Sequence, residues 1–155
     1  MNKKKFWTFL IIVICVVFVS GIKLLKGHPI WAASAQMPHS KGNPHAPIKV
    51  IEYMDFQCPA CANGARLLEN FIKNNPDKFY LEVRYYPLEM HFHAMRAARY
   101  AECAGRQEKF WAMHDLLFKH QSSWAPLLNA ESVFGEMAKT INLDPKKLDQ
   151  CLADP

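Results

Sequence analysis

The chain has 155 residues, 50% of them hydrophobic and 12% aromatic, which suits one globular domain with a buried core. Its formal net charge of +5 comes from the N-terminal segment: Lys3, Lys4, Lys5, Lys23 and Lys26 all precede the first acidic residue, Glu52, and from Gly27 onward the two signs balance at 14 each. No basic patch is left to support nucleic-acid binding, so that class of partner is excluded.

The chain opens with KKKFWTFLIIVICVVFVSGIKLLKG over 3–27. Residues 6–22 form an almost unbroken apolar run, at about the lower length limit for a bilayer-spanning helix. Leu24 and Leu25 extend it if Lys23 snorkels to the interface. Three lysines and the terminal amine precede the run and two lysines follow it. This bias keeps the N-terminus in the cytoplasm and places the remainder on the extracytoplasmic, periplasmic side. Residues 1–26 are therefore expected to be a membrane anchor or signal segment, preferably an uncleaved anchor. Ala33-Ser34-Ala35 has the small-x-small form of a cleavage site, and cutting after Ala35 releases the domain, but the site lies far beyond the apolar run. Cys15 sits inside the run and is read as packing there. Outside the cytoplasm paired cysteines tend to be oxidised. That leaves an even set: Cys58, Cys61, Cys103 and Cys151.

Residues 27–47, GHPIWAASAQMPHSKGNPHAP, carry four prolines and two glycines and read as a tether and lead-in loop. IKVIEYM, Ile48–Met54, is rich in β-formers and predicts a strand. A helix is predicted from the cysteine pair to about Asn74, with Pro59 in its first turn, where a missing N–H costs nothing. FYLEVRYY, 79–86, predicts a second strand, stopped by Pro87. Strand, helix, strand in this span is a βαβ unit with parallel strands, assigned to 48–90. Residues 91–155 read as entirely helical. Ala94, Ala97, Ala98, Ala101 and Gly105 make a small-residue stripe for close packing, and Asp144-Pro145 looks like an N-cap followed by proline at the first helical position. Two parallel strands need further strands to bury their faces, and none is predicted after Tyr86.

DFQCPAC, 55–61, carries the chemistry. A C-x-x-C pair opening a helix after a strand is a redox arrangement. At the helix N-terminus, free N–H groups and the macrodipole favour a thiolate at Cys58, the expected attacking sulfur. Cys61 lies one turn in and aligns with Ala65, Leu68 and Ile72, so it is expected to be the sheltered, resolving thiol. Burial opposes its ionisation, and Glu52 is the candidate to move its proton. Strand alternation places Glu52 on one face with Ile48, Val50 and Met54, where a carboxylate is partly desolvated. Asp55 falls on the other face and reads as a turn or cap residue. No cofactor is called for. The rival reading is a copper- or zinc-handling C-x-x-C module without catalysis, for which His91 and His93 are the close histidine pair. His114, Trp111 and Trp124 read as packing. Phe56, Pro59 and Met90 are candidates for a shallow apolar surface beside Cys58.

The segment KGNPHAPIKVIEYMDFQCPAC resembles the exported DsbA-like thiol–disulfide oxidoreductases of the thioredoxin superfamily, and YYPLEMHFHAMRAARYAECAGRQEKFWAMHDLLFKHQ is similar to the helical insertion of that family. The resemblance spans about 41–152. It implies an α/β fold, a thioredoxin-like βαβ core with an all-helical insertion domain. It implies a Cys58–Cys61 disulfide exchanged with cysteines of exported proteins and recycled by a membrane or soluble redox partner. Cys58 matches the nucleophile, Cys61 the resolving cysteine and Glu52 the buried acid beneath them, with Pro59, Ala60 and Phe56 as neighbours. It also suggests a Cys103–Cys151 bridge within the helical domain, against two separate thiols. Two departures stand out. DsbA has histidine where this chain has Ala60, which predicts a less stable thiolate and a weaker oxidant. The family's cis-proline loop, last two strands and final helix have no counterpart before Pro155, so the C-terminal strands and helix are expected to be missing from this chain.

Overall fold

The computed structural model describes residues 39–154. The expected anchor, Cys15 and the Ala33 to Ala35 cleavage site lie outside them. Among the described residues no helix is long and apolar enough to cross a membrane.

The elements in chain order are β1 (His39–Gly42), β2 (Ile48–Met54), α1 (Pro59–Asn74), β3 (Phe79–Tyr85), α2 (Ala94–Gly105), α3 (Phe110–Lys119), α4 (Gln121–Trp124), α5 (Glu131–Thr140) and α6 (Pro145–Ala153). β2 and β3 pair in parallel, from Ile48 opposite Phe79 to Met54 opposite Tyr85, with α1 as the crossover. The alternation of IKVIEYM explains the orientation. Met54 is buried and packs with Val50, Leu81 and Val83, whereas Ile51 and Tyr53 point to the exposed face. Tyr86 N–H still donates to Met54 O, one residue beyond the strand, before Pro87 ends the pairing.

The segment read as a tether and lead-in loop contains a strand. β1 pairs antiparallel with the other edge of β3, giving the sheet order β1-β3-β2. HSKG has no β-former pattern; tertiary partners hold it there. The His39 ring stacks on Phe110 at 3.6 Å, and Trp111 Nε1–H donates to Ser40 O. Two glycines permit the fit. Gly42 has φ +96°, and a Cβ there meets Phe79 O at 2.3 Å. A Cβ at Gly105 meets His39 Cε1 at 2.5 Å.

A continuous core joins sheet and helices: Met54, Phe56, Leu81 and Val83 belong to the same cluster as Met113, Leu117, Trp124 and Phe134. Ala97, Ala98 and Ala101 of the small-residue stripe of α2 are buried in it. Trp124 is fully buried and its Nε1–H donates to Leu117 O, so its one polar atom is satisfied. Asp144 caps α6, accepting from Lys146 N–H and Lys147 N–H with Pro145 in the first turn. Cys103 of α2 and Cys151 of α6 form a disulfide.

Candidate functional site

α1 follows β2 after a four-residue turn that ends in Cys58, and Cys61 lies in the first turn of α1. Cys58 is the N-cap residue of α1, in extended conformation (φ −77°, ψ 120°), and Pro59 occupies the first turn. Cys58 N–H donates to Asp55 O and Cys58 O accepts from Ala62 N–H. Cys58 and Cys61 are both free and half-buried; Cys61 packs against the core while Pro59 and Ala60 are exposed. Burial pushes the Cys61 thiol up. A backbone hydrogen bond at Asp55 partly offsets this, and the adjacent Cys58 thiol and the Asp55 charge add to the rise.

Glu52 lies on the inner face of β2 and reaches α1: a Cβ on Gly64 sits 3.6 Å from Glu52 Oε1. Desolvation raises its pKa, opposed by the charge of Lys41. Glu52 Oε2 is buried without a hydrogen-bond partner. A carboxyl in this condition holds a proton more readily than a solvated one.

Three polar side chains fasten the turn to the rest of the molecule. Asp55 is 3% exposed. Its Oδ1 accepts from Gln57 N–H at 2.7 Å, the turn contact read from sequence. Its Oδ2 also accepts from Leu88 N–H at 2.9 Å and lies 2.6 Å from His91 Nδ1. Gln57 donates from Nε2 to Ala125 O and accepts His93 N–H at Oε1. Gln121, on the short helix α4, donates from Nε2 to both Phe56 O (2.7 Å) and Cys58 O (3.0 Å). Sequence reading missed Gln57 and Gln121, because an amide that bridges residues more than 60 positions apart leaves no local pattern.

Phe56 is corrected. It is 1% exposed, packed against Phe118 and His114, and contributes nothing to a surface. Met90 and Phe92 are 83% and 82% exposed. His91 and His93 are turned to Asp55 and to Leu127 O respectively. Among the described residues no group of three or more His, Cys, Asp or Glu is placed to share a metal ion. His114 is buried in aromatic contacts, its Nδ1 near Asp115 and its Nε2 without a partner. Trp111 lies under Lys41 and is engaged at its N–H.

A family model described as Thioredoxin matches residues 34–155. A curated relative, Na(+)/H(+) antiporter NhaA 1 of Salinispora arenicola, is 36% identical over 117 residues, which is 75% of this chain and 17% of that protein. The chain thus spans about one-sixth of the length of that relative. Among solved structures, Wolbachia pipientis alpha-DsbA1 is 24% identical with a TM-score of 0.65, covering 85% of this chain and 64% of that one. Pseudomonas aeruginosa DsbA2 is 27% identical with a TM-score of 0.58, covering 83% and 66%.

Proposed function

This chain belongs to the thioredoxin family as a DsbA-like member, and from that premise we propose that it is a thiol–disulfide oxidoreductase that exchanges a Cys58–Cys61 disulfide with cysteines of exported proteins. The observation that carries the reading is the placement of Cys58 at the N-cap of α1, with Cys61 one turn in and packed against the core. Cys58, beside the exposed Pro59 and Ala60, meets substrate, and Cys61, packed against the core, completes the exchange.

Starting from the disulfide, a substrate thiolate attacks the Cys58 sulfur. The Cys58–Cys61 bond breaks, a substrate–Cys58 bond forms, and Cys61 leaves with the electron pair. Glu52 supplies the proton that neutralises Cys61. A second substrate thiolate then attacks the substrate sulfur of the mixed disulfide, and Cys58 leaves. The substrate loses two electrons to the pair, which ends as the dithiol. A membrane or soluble redox partner reoxidises it. The domain works on the extracytoplasmic side, held there by the N-terminal segment or released after Ala35. Residues 48–90 supply the chemistry and 91–155 fasten the turn. Pro59 and Met90 lie open to substrate.

The test is the same exchange run in reverse, from the reduced pair to a disulfide-bonded protein substrate. Cys58→Ser is expected to abolish turnover, and Cys61→Ser to accumulate a substrate-linked adduct on Cys58 that reductant releases. Wild-type turnover in Cys58→Ser overturns the assignment. Stoichiometric zinc or copper held by Cys58 and Cys61 without turnover favours the metal-handling alternative.

A further inference from the structure

Asp55 is a buried carboxylate to which the exchange chemistry assigns no task. It accepts from two backbone N–H groups, Gln57 and Leu88, and its Oδ2 faces the His91 ring at 2.6 Å. Its side chain is 2% exposed and that of His91 18%. It sits at the base of the turn that delivers Cys58, whose N–H donates to Asp55 O. Its charge also reaches the Cys61 sulfur, being among the causes that raise that thiol. A local cap needs only the Gln57 contact. The carboxylate also reaches across to the segment that leads into α2, and there it meets an imidazole.

The electrostatic consequence depends on redox state. A disulfide carries no charge; the dithiol carries one negative charge whenever either sulfur ionises. A buried carboxylate nearby therefore disfavours the reduced pair in its thiolate form and leaves the disulfide unaffected. An N–H donor on that carboxylate withdraws part of its charge and softens the penalty.

We propose that Asp55 and His91 are a positioning pair that sets the reduction potential of the Cys58–Cys61 couple, Asp55 favouring the disulfide and His91 moderating Asp55. The inference rests on the redox reading of the cysteines and adds two side chains outside the exchange chemistry; Asp55 meets the Cys61 thiol through its backbone. It places part of the redox tuning beneath the motif, at a position independent of the residue between the cysteines.

The experiment measures the equilibrium of the full chain against mixtures of reduced and oxidised glutathione near neutral pH. The oxidised fraction is read on the peptide that contains Cys58 and Cys61. Asp55→Asn is expected to shift the equilibrium at least threefold toward the dithiol, about 14 mV for a two-electron couple. His91→Ala, which removes the donor, is expected to shift it at least threefold the other way, and His91→Gln, which keeps an N–H, to recover part of that shift. In an Asp55→Asn background His91→Ala is expected to have no effect, because its action runs through the carboxylate. Shifts of the same sign for Asp55→Asn and His91→Ala, or an undiminished His91→Ala shift in the double variant, overturn the proposal. If Asp55→Asn fails to fold, the two His91 variants decide: equal potentials for Ala and Gln overturn it, and recovery by Gln supports it. A wild-type chain that equilibrates with glutathione yet turns over no protein substrate sinks the oxidoreductase reading while leaving these shifts measurable.

Discussion

At Glu52 the local chemistry makes a sign prediction. Burial raises its pKa, and Lys41 only partly opposes this. A carboxyl raised in the folded state contributes stability that is complete below its unfolded pKa and is lost as pH rises through the folded value. Glu52→Gln is therefore expected to match wild type near pH 4 and to become the more stable protein toward pH 8, as read by urea midpoints. Its exchange rate at neutral pH is expected to fall about a hundredfold, the lower end of what positioned proton transfer typically contributes. Glu102 behaves oppositely: hydrogen bonding from His39 lowers it, so its contribution to holding β1 is present above its unfolded pKa and is lost on acidification through the folded one. Glu52 was legible from β-strand alternation alone, since the face shared with Val50 and Met54 follows from the backbone. The second oxygen of Asp55 was not legible, because Leu88 and His91 are brought to it only when the chain turns back after β3.

Among the elements, α4 is the shortest helix described, yet it carries the amide that grips two carbonyls of the cysteine turn. Gln121→Ala is expected to cost about 1–2 kcal/mol in stability, the scale of two hydrogen bonds between neutral groups. Its larger effect is expected in the turn, as faster amide hydrogen exchange at Cys58 and Ala62 and a several-fold loss in substrate exchange rate. Unchanged protection at those amides refutes the role. The βαβ unit and the capped start of α6 were readable because alternation, Pro59 and Asp144-Pro145 are local signals. β1 was hidden for the opposite reason. Its strand state depends on β3, on the stacking of His39 against Phe110 and on the absence of a side chain at Gly105.

Over the whole molecule, one core serves sheet and helices, and the Cys103–Cys151 disulfide ties its helical side together across 48 positions of sequence. Both sulfurs lie in buried residues on α2 and α6, with α3, α4 and α5 in the enclosed loop. On the chain-entropy account a loop of this length is worth about 4 kcal/mol, and measured values are commonly 2–4. Replacing both cysteines by alanine is expected to lower the denaturation free energy by roughly that amount while leaving Cys58–Cys61 exchange measurable. A double variant as stable as wild type contradicts it. The α/β class and the place of the Cys58–Cys61 pair were evident from sequence, whereas the core shared by sheet and helices was not, because its contacts join residues far apart in the chain.

Gln121 also bears on how such a molecule ages. Its amide faces two carbonyl oxygens, an arrangement that works only while the group donates. Slow deamidation to glutamate changes the mass by about one unit and removes no apolar side chain, but it sets a carboxylate against two acceptors in the turn that carries Cys58. Stored protein that melts a few degrees lower and loses exchange capacity is the expected symptom, and a single oxidation-independent lesion at position 121 is its expected cause.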